Sequence, residues 1–595
     1  MDISNLDWII IISFLLLTLL IGLIVSKKSG ENSSEFFLSG RNMPWWLLGL
    51  SMVATTFSTD TPNLVTDIVR NNGVAGNWIW WVFLITGLLT VFVYAKLWRK
   101  SNVNTDIEFY ELRYSGKPAK LLRGFRAVYL GVIFNVLAMG GISLAAIKIG
   151  QVMLGLTAFE TIGIAGAITL FFSALGGFKG VVYTDFILFF VAMAGSIGAA
   201  YYLVNMPDIG GIQNLITHPN VTDKISMLPD FSNTEQLIML IIIPLSVQWW
   251  SAWYPGAEPG GGGYIAQRML AAKDENHAIG ATFFFNIMHY ALRPWPWILV
   301  ALASLVVFPD IASIQEAFPA VSEDKLGHDL AYSAMLTKLP SGLLGLVLAS
   351  LIAAYMSTIS THLNWGASYI VYDFYTQQIN SSATEKQKVN VGRLATVILF
   401  LASAVLALLL TNALQLFDFI LMFGAGTGLI FILRWFWWRI NAWSEISAIL
   451  VSGIVSVLFN MEVISSVLFG ESALMPEYMK FPMVVLITTV VWLVVTFVTP
   501  AENKEVLLSF YKKTVPGGPG WKSIVGNEQF KNEGWSVPSG ILAMLLALAM
   551  IYSLLFATGY FIYGNLQLGA ILMFIALISA FLLSKVWGRI KVDVL

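Results

Sequence analysis

Ser58-Thr-Asp-Thr-Pro-Asn63 lies in the middle of an apolar stretch, 45–70, that is otherwise long enough to cross a bilayer as one helix. A proline among hydroxyl and carboxylate side chains predicts an interrupted span there. A second interruption falls in 234–254, where Pro244 is followed by Ser246-Val-Gln-Trp-Trp-Ser-Ala-Trp253 and then a proline–glycine exit. The hydrophobic runs between them set the two an odd number of spans apart, so they run in opposite directions. Paired broken spans in corresponding positions of two halves are the sequence sign of an inverted-repeat secondary transporter. Unwound turns at mid-membrane expose backbone carbonyls and helix ends, where a solute and a cation regain the contacts they lose with water.

The rest of the chain fits a polytopic membrane protein. It has 595 residues, 57% hydrophobic and 12% charged, with a mean hydropathy of +0.74, which excludes a soluble globular protein. Runs of about 18 apolar residues or more give roughly fifteen spans. Trp8 to Val25 reads as a retained span, because it lacks a basic n-region and a small-residue cleavage site. With the N-terminus outside and the C-terminus inside, most of the 34 Lys+Arg fall in inner loops, Arg268 included. Arg70, Lys224, Lys325, Lys338 and Lys480 fall outside, while Lys148 and Arg293 lie within spans. A net charge of -1 offers no field for nucleic acid, and with no cysteine there is neither disulfide nor thiolate site. The longest polar segments, 99–121, 205–233, 309–339 and 500–533, are too short for an enzyme domain. The five histidines show no metal-ligand spacing, and Gly260-Gly-Gly-Gly263 lacks the strand and the Gly-Lys-Ser/Thr ending of a phosphate loop.

Ala353-Ala-Tyr-Met-Ser-Thr-Ile-Ser-Thr-His-Leu-Asn364 points to chemistry. Ala354, Ser357, Thr358 and Thr361 share one helix face, with Ser360 at its edge. A ladder of neutral oxygens in a membrane helix can replace the water of a small hard cation. Small and hydroxyl residues also let helices pack closely in lipid, and spacing alone does not separate the two readings.

Several stretches carry a family likeness: Gly40-Arg-Asn-Met-Pro-Trp-Trp-Leu-Leu-Gly49, Thr105-Asp-Ile-Glu-Phe-Tyr-Glu-Leu-Arg-Tyr114, Gly176-Gly-Phe-Lys-Gly-Val-Val-Tyr-Thr-Asp185, Tyr264-Ile-Ala-Gln-Arg-Met-Leu-Ala-Ala-Lys273, and 353–364 followed by Tyr372-Asp-Phe-Tyr375. From the N-terminus to about residue 440 the chain resembles the sodium:solute symporters, the group of sodium/glucose, proline and sialic acid cotransporters. The resemblance implies an all-α polytopic fold with a leucine-transporter-like, five-plus-five inverted-repeat core. One extra helix and inner loop would occupy 1–44, the repeats 45–204 and 205–437, and peripheral helices 438–595 with an inner loop at 500–533. It implies sodium as the coupling ion, no organic cofactor, a small-molecule solute and a lipid bilayer as partners, and a bacterial inner membrane. Protein partners are unknown.

Carried over position by position, the common sodium site falls on the carbonyls of Ala54, Phe57 and Ala354 and the hydroxyls of Ser357 and Thr358. A second sodium, as in some members, would take Asp185, Ser357, Ser360 and Thr361. Each cation moving down 100 mV contributes about 2.3 kcal/mol, and a tenfold gradient about 1.4 kcal/mol. Two ions thus supply roughly 7 kcal/mol, enough for about 10⁵-fold accumulation of a neutral solute.

Substrate candidates are Asp60, Thr61, Trp81, Gln248, Trp249, Arg293 and Asp418. Asp60 or Thr61 either faces the solute or caps the half-helix starting near Pro62. Arg293, a cation in mid-span, either binds an anionic solute or pairs with Asp418 or Asp60, the ion pair being preferred. Gln248 matches a sugar-contacting position of the sugar carriers, whereas Tyr290 stands where they keep a lysine. Trp81 and Trp249 offer stacking faces, against the alternative of core or interfacial filling. The reading is therefore a sodium-coupled importer of a small polar solute, with a sugar or polyol ahead of an organic or amino acid. A proton-coupled carrier and a transporter-like sensor are the alternatives.

Overall fold

Each apolar run closes its backbone hydrogen bonds within itself, as lipid requires, and the described chain is helical almost throughout. The structure, a computed structural model, describes residues 3–29, 33–252, 258–319, 321, 323–410, 420–460, 477–526 and 536–590. In order the helices are α1 (Asn5–Ser29), α2 (Trp45–Thr55), α3 (Asp60–Asn72), α4 (Val74–Ser101), α5 (Gly116–Leu154) and α6 (Ala158–Val204). Next come α7 (Thr234–Ser246), α8 (Gly263–Ala271), α9 (Glu275–Val307), α10 (Leu343–Ile379), α11 (Glu385–Leu409) and α12 (Gly428–Leu433). The last are α13 (Ala442–Asn460), α14 (Glu477–Val498), α15 (Lys504–Thr514), α16 (Val537–Ile562) and α17 (Leu566–Trp587). Among the described residues ten helices are long and apolar enough to cross a membrane, and four shorter apolar ones accompany them. The two ends of the molecule are called inner and outer here after the lysine and arginine distribution.

Both expected interruptions are present. α2 stops at Thr55 and α3 starts at Asp60. α7 stops at Ser246, Val247 leaves the helical region at φ -137, and one short turn follows at Gln248–Trp250. The second half of this element is α8, a helix where the lysine and arginine distribution puts Arg268 in an inner loop. Its start is hidden in the glycine run: Gly260 and Gly261 turn at φ +85 and +88, a backbone open to glycine at little cost. Gly263 N–H then donates to Asp106 Oδ2 at 2.8 Å, closing one of the open donors at the helix start.

Helix α6 covers two expected spans, and its contacts show that the chain reverses within it. α5 and α10 run antiparallel, Ser143 hydroxyl to Tyr355 hydroxyl at 3.1 Å and Asn135 Nδ2 to the His362 carbonyl at 2.8 Å. That pairing sets Gly150 level with the turn around Val347–Ser350. Thr161 packs on Gly150, and Gly195 packs on Val347 and Ser350. In one straight helix Thr161 and Gly195 would stand about 50 Å apart, so the two arms of α6 return to one level. α1 meets the start of α10 at the same end, where Asp7 accepts from Gly342 and Gly345 N–H at 2.7 Å each.

The inner segment after α14 is docked rather than loose. Trp521 is buried and donates to the Trp435 carbonyl at 2.9 Å, and the Arg113 guanidinium lies 5.1 Å from its ring centre.

Candidate functional site

The break between α2 and α3 leaves backbone carbonyls without helical partners, and two side chains from other helices take them up. Thr358 of α10 donates its hydroxyl to the carbonyls of Thr55 and Phe57, each at 3.0 Å. Arg293 of α9 reaches the other side of the same turn. Its guanidinium donates to the Val53 carbonyl at 2.7 Å, the Thr56 carbonyl at 2.9 Å and the Thr56 hydroxyl at 3.1 Å. A cation at a helix C-terminus is stabilised by the helix dipole. Arg293 is thus a backbone ligand, and no ion pair to Asp60 forms; Asp418, the other expected partner, lies outside the described residues. The expected pair with Asp60 gives way because the carbonyls of Val53 and Thr56 are closer to the guanidinium.

Arg293 is aimed by a local irregularity. Pro294 and Pro296 cannot donate backbone hydrogen bonds, and the turn before them widens to Met288–Leu292 with Arg293 N–H on the Met288 carbonyl at 3.2 Å. Such π turns recur at functional sites. This one turns His289, Tyr290 and Arg293 inward: His289 Nδ1 is 3.2 Å from the Thr56 hydroxyl, and Tyr290 stacks on Trp80 with ring centres 6.0 Å apart.

A cavity of about 60 Å³ lies at the break, lined by Thr56, Ser58, Asp60, Thr61, Trp80, Tyr264, His289 and Arg293 among others. Asp60 opens the first turn of α3, and Thr59 precedes it without a side-chain cap bond; the Asp60 carboxylate accepts from the backbone N–H groups of Asp60 and Thr61. The Asp60 carboxylate meets the Thr61 hydroxyl at 3.5 Å. Toward the outer end, Arg70 donates to His328 Nδ1 at 3.1 Å and the Ser304 hydroxyl at 3.0 Å, and Lys148 pairs with Asp329 at 2.6 Å.

The second expected cation position is filled by a side chain. Arg268 of α8 is wholly buried. Its guanidinium donates to Thr55 at 2.6 Å, Ser51 at 2.9 Å and Thr361 at 3.1 Å, and lies 3.5 Å from Asp185 Oδ2. Asp185 also accepts from the hydroxyls of Ser51 and Ser357. Ser360 faces away from this cluster and accepts from Ser173 at 2.7 Å. Arg268 therefore belongs to the core and not to an inner loop, contrary to the sequence reading. A lone cation among Ile265, Ala266, Met269 and Leu270 was the signal that pointed there.

Of the other candidates, Ala54, Phe57, Ala354, Ser357, Thr358, Thr361 and Asp185 come together around the break and the facing turn of α10. Trp81 does not reach the cavity: it is fully buried against Trp78, Trp80 and Phe556, and the adjacent Trp80 takes the lining position. Gln248 donates to the Ile79 carbonyl at 2.7 Å, and Trp249 packs edge-on to Trp250, both away from the cavity. Sequence reasoning missed Ser51, Thr55, Trp80, Tyr264, Arg268 and His289.

A profile of the sodium:solute symporter family matches residues 36–453. The chain belongs to that family. This sodium:solute symporter is 27% identical over 76% of its length to a sodium/glucose cotransporter of Vibrio parahaemolyticus, covering 84% of that protein. It is 24% identical over 77% of its length to a sodium/sialic acid symporter of Proteus mirabilis, covering 90% of that protein. Its fold matches a solved Na⁺-coupled sialic acid symporter in a substrate-bound outward-open state, with a TM-score of 0.65, 18% identity and 84% of this chain covered against all of the other. The symporter is thus an integral membrane protein that couples solute transport to sodium, in a family of carriers rather than catalysts.

Proposed function

We propose that this symporter imports a neutral, hydroxyl-rich solute, a sugar or polyol, by alternating access, from a site formed at the break between α2 and α3. The carrying observation is the division of labour in the cavity. Both terminal nitrogens of Arg293 are taken up by the carbonyls and hydroxyl of the break, so Arg293 is a poor clamp for a solute carboxylate. Asp60 presents to the cavity a carboxylate held by the backbone N–H groups of Asp60 and Thr61 and 3.5 Å from the Thr61 hydroxyl, and a carboxylate has lone pairs left to accept from further hydroxyl groups. Trp80 adds an aromatic face for a sugar ring. Relatives named for glucose in Vibrio parahaemolyticus and for myo-inositol in dog favour the same class.

In this reading sodium binds where Thr358 meets the carbonyls of the break and holds α2 against α10. A second sodium uses Asp185, Ser357 and Thr361 once Arg268 withdraws. The basic residues favour an N-terminus outside and a C-terminus inside, in a cytoplasmic membrane.

The test is the melting temperature of the purified protein in sodium against potassium, across sugars, polyols, amino acids and carboxylates. Ligands stabilise the state they bind, so a sugar or polyol is expected to raise the melting temperature in sodium and not in potassium. A carboxylate that does so in place of every sugar and polyol overturns the substrate class.

A further inference from the structure

Between the solute cavity and the inner end lies a second, smaller space of about 40 Å³, lined by Thr86, Thr90, Glu258, Gly261, Thr282 and Asn286 among others. Tyr290 borders it and also stacks on Trp80 of the solute cavity, so a single aromatic layer separates the two. Its wall is largely apolar, with Phe83, Ile265 and Phe285, and the polar groups of Thr86, Thr90, Glu258, Thr282 and Asn286 are set into it. Asn286 is buried, donates its Nδ2 to the Thr282 carbonyl at 2.8 Å, and keeps its Oδ1 without a hydrogen-bond partner.

The inner wall of this space is charged. Glu258, its side chain 3% exposed, pairs through Oε1 with Arg126 of α5, 4% exposed. Its Oε2 lies 3.9 Å from Arg434, which follows α12 and also pairs with Glu445 of α13 at 3.1 Å. Three separate parts of the chain therefore meet at one carboxylate. Glu258 sits just before the glycine run that turns into α8, with Gly261 N–H on its carbonyl at 2.8 Å. Trp98 of α4 holds that turn through the Gly260 carbonyl at 2.6 Å.

We infer that Glu258, held between Arg126 and Arg434, is the charge latch that closes the inner exit of the solute path. A buried carboxylate is stable only while its cations stay with it. Once α8 separates from α5 and α12, water reaches all three groups and hydrates them. The contact thus has its full value only in the closed state and biases the equilibrium between closed and open. Alternating access needs such a contact between the elements that rock apart, and Glu258 stands where the turn at Gly260 and Gly261 leads into α8.

The proposal rests on the reading of a through-path for solute, and its test is independent of what that solute is. The chain has no cysteine, so Thr90→Cys creates the single target for a membrane-impermeant maleimide applied to inside-out vesicles. Thr90 is 4% exposed, and labelling from the inner side reports opening of the exit. Glu258→Gln is expected to speed labelling by about tenfold or more, since a buried charge contact is lost from one of two states. Glu258→Asp, which keeps the charge, is expected to label near the parent rate. Equal rates for parent and Glu258→Gln overturn the latch, as do equal accelerations by Gln and Asp. If Glu258→Gln is not monodisperse in detergent, Arg126→Gln replaces it with the same expected rise, and no rise overturns the proposal. Labelling needs neither sodium nor solute. A failure of the substrate reading therefore leaves this result standing, and a failed latch leaves the melting-temperature test untouched.

Discussion

One hydroxyl, that of Thr358, ties two carbonyls of a broken helix to its neighbour at 3.0 Å each. Thr358→Val keeps the shape and removes the donor, leaving the carbonyls of Thr55 and Phe57 without it at a cost of about 1–3 kcal/mol. The valine variant should melt lower than the parent in potassium and lose its stabilisation by sodium, while Thr358→Ser should keep both. A sodium titration of melting temperature reads this directly, and a parental sodium response in the valine variant removes Thr358 from the ion site. Thr358 was legible in the sequence because helical spacing stacks the hydroxyls of 354–361 on one face. Trp80 was not, because adjacent residues differ by about 100° around a helix, and only the packing of Trp81 against Phe556 decides which one turns toward the cavity. Arg293 was legible as a costly mid-span cation but not in its partner: backbone carbonyls carry no sequence signature.

At the scale of the element, interruptions were readable where proline or polar residues stand in apolar runs, as at Pro62 and Pro244. They were hidden where glycine does the work. The start of α8 falls on the last of four glycines that read equally well as a loop, and the nine residues of α8 are too few for a periodicity argument to carry. The π turn at Met288–Leu292 was likewise invisible, although its cause, the two prolines at 294 and 296, is plain afterwards. Pro294→Ala tests that cause. It restores a donor and a better helix former, worth up to about 3 kcal/mol in a helix interior, and closing the turn to a regular helix rotates the residues before it by about 100°. The variant should melt at or above the parent temperature yet lose most sodium-driven uptake in proteoliposomes, because His289 and Arg293 leave the break. Parental uptake would show that the wide turn is incidental.

Across the whole molecule, the family match ends at residue 453, yet the helices beyond it pack on the transport core. α16 lies along α4 and the wide turn of α9, with Tyr552 donating to the Trp81 carbonyl at 2.9 Å and Trp295 donating to the Leu555 carbonyl at 3.0 Å. These contacts join distant parts of the chain, which periodicity cannot report. The guanidinium of Arg268 in the Asp185 pocket has an electrical consequence. In the two-sodium reading, an ion entering there would take the place of the guanidinium, and an outward swing of Arg268 to make room would cancel that ion's movement through the membrane field. Binding at the Thr358 position has no such counter-movement. Each elementary charge moved across 100 mV is worth about 2.3 kcal/mol, and transient currents after a voltage jump register that movement. With an outward swing of Arg268 they should report, before turnover, the charge movement of about one ion and not two, even if a complete cycle carries two, and Arg268→Gln should raise the transient toward twice that value.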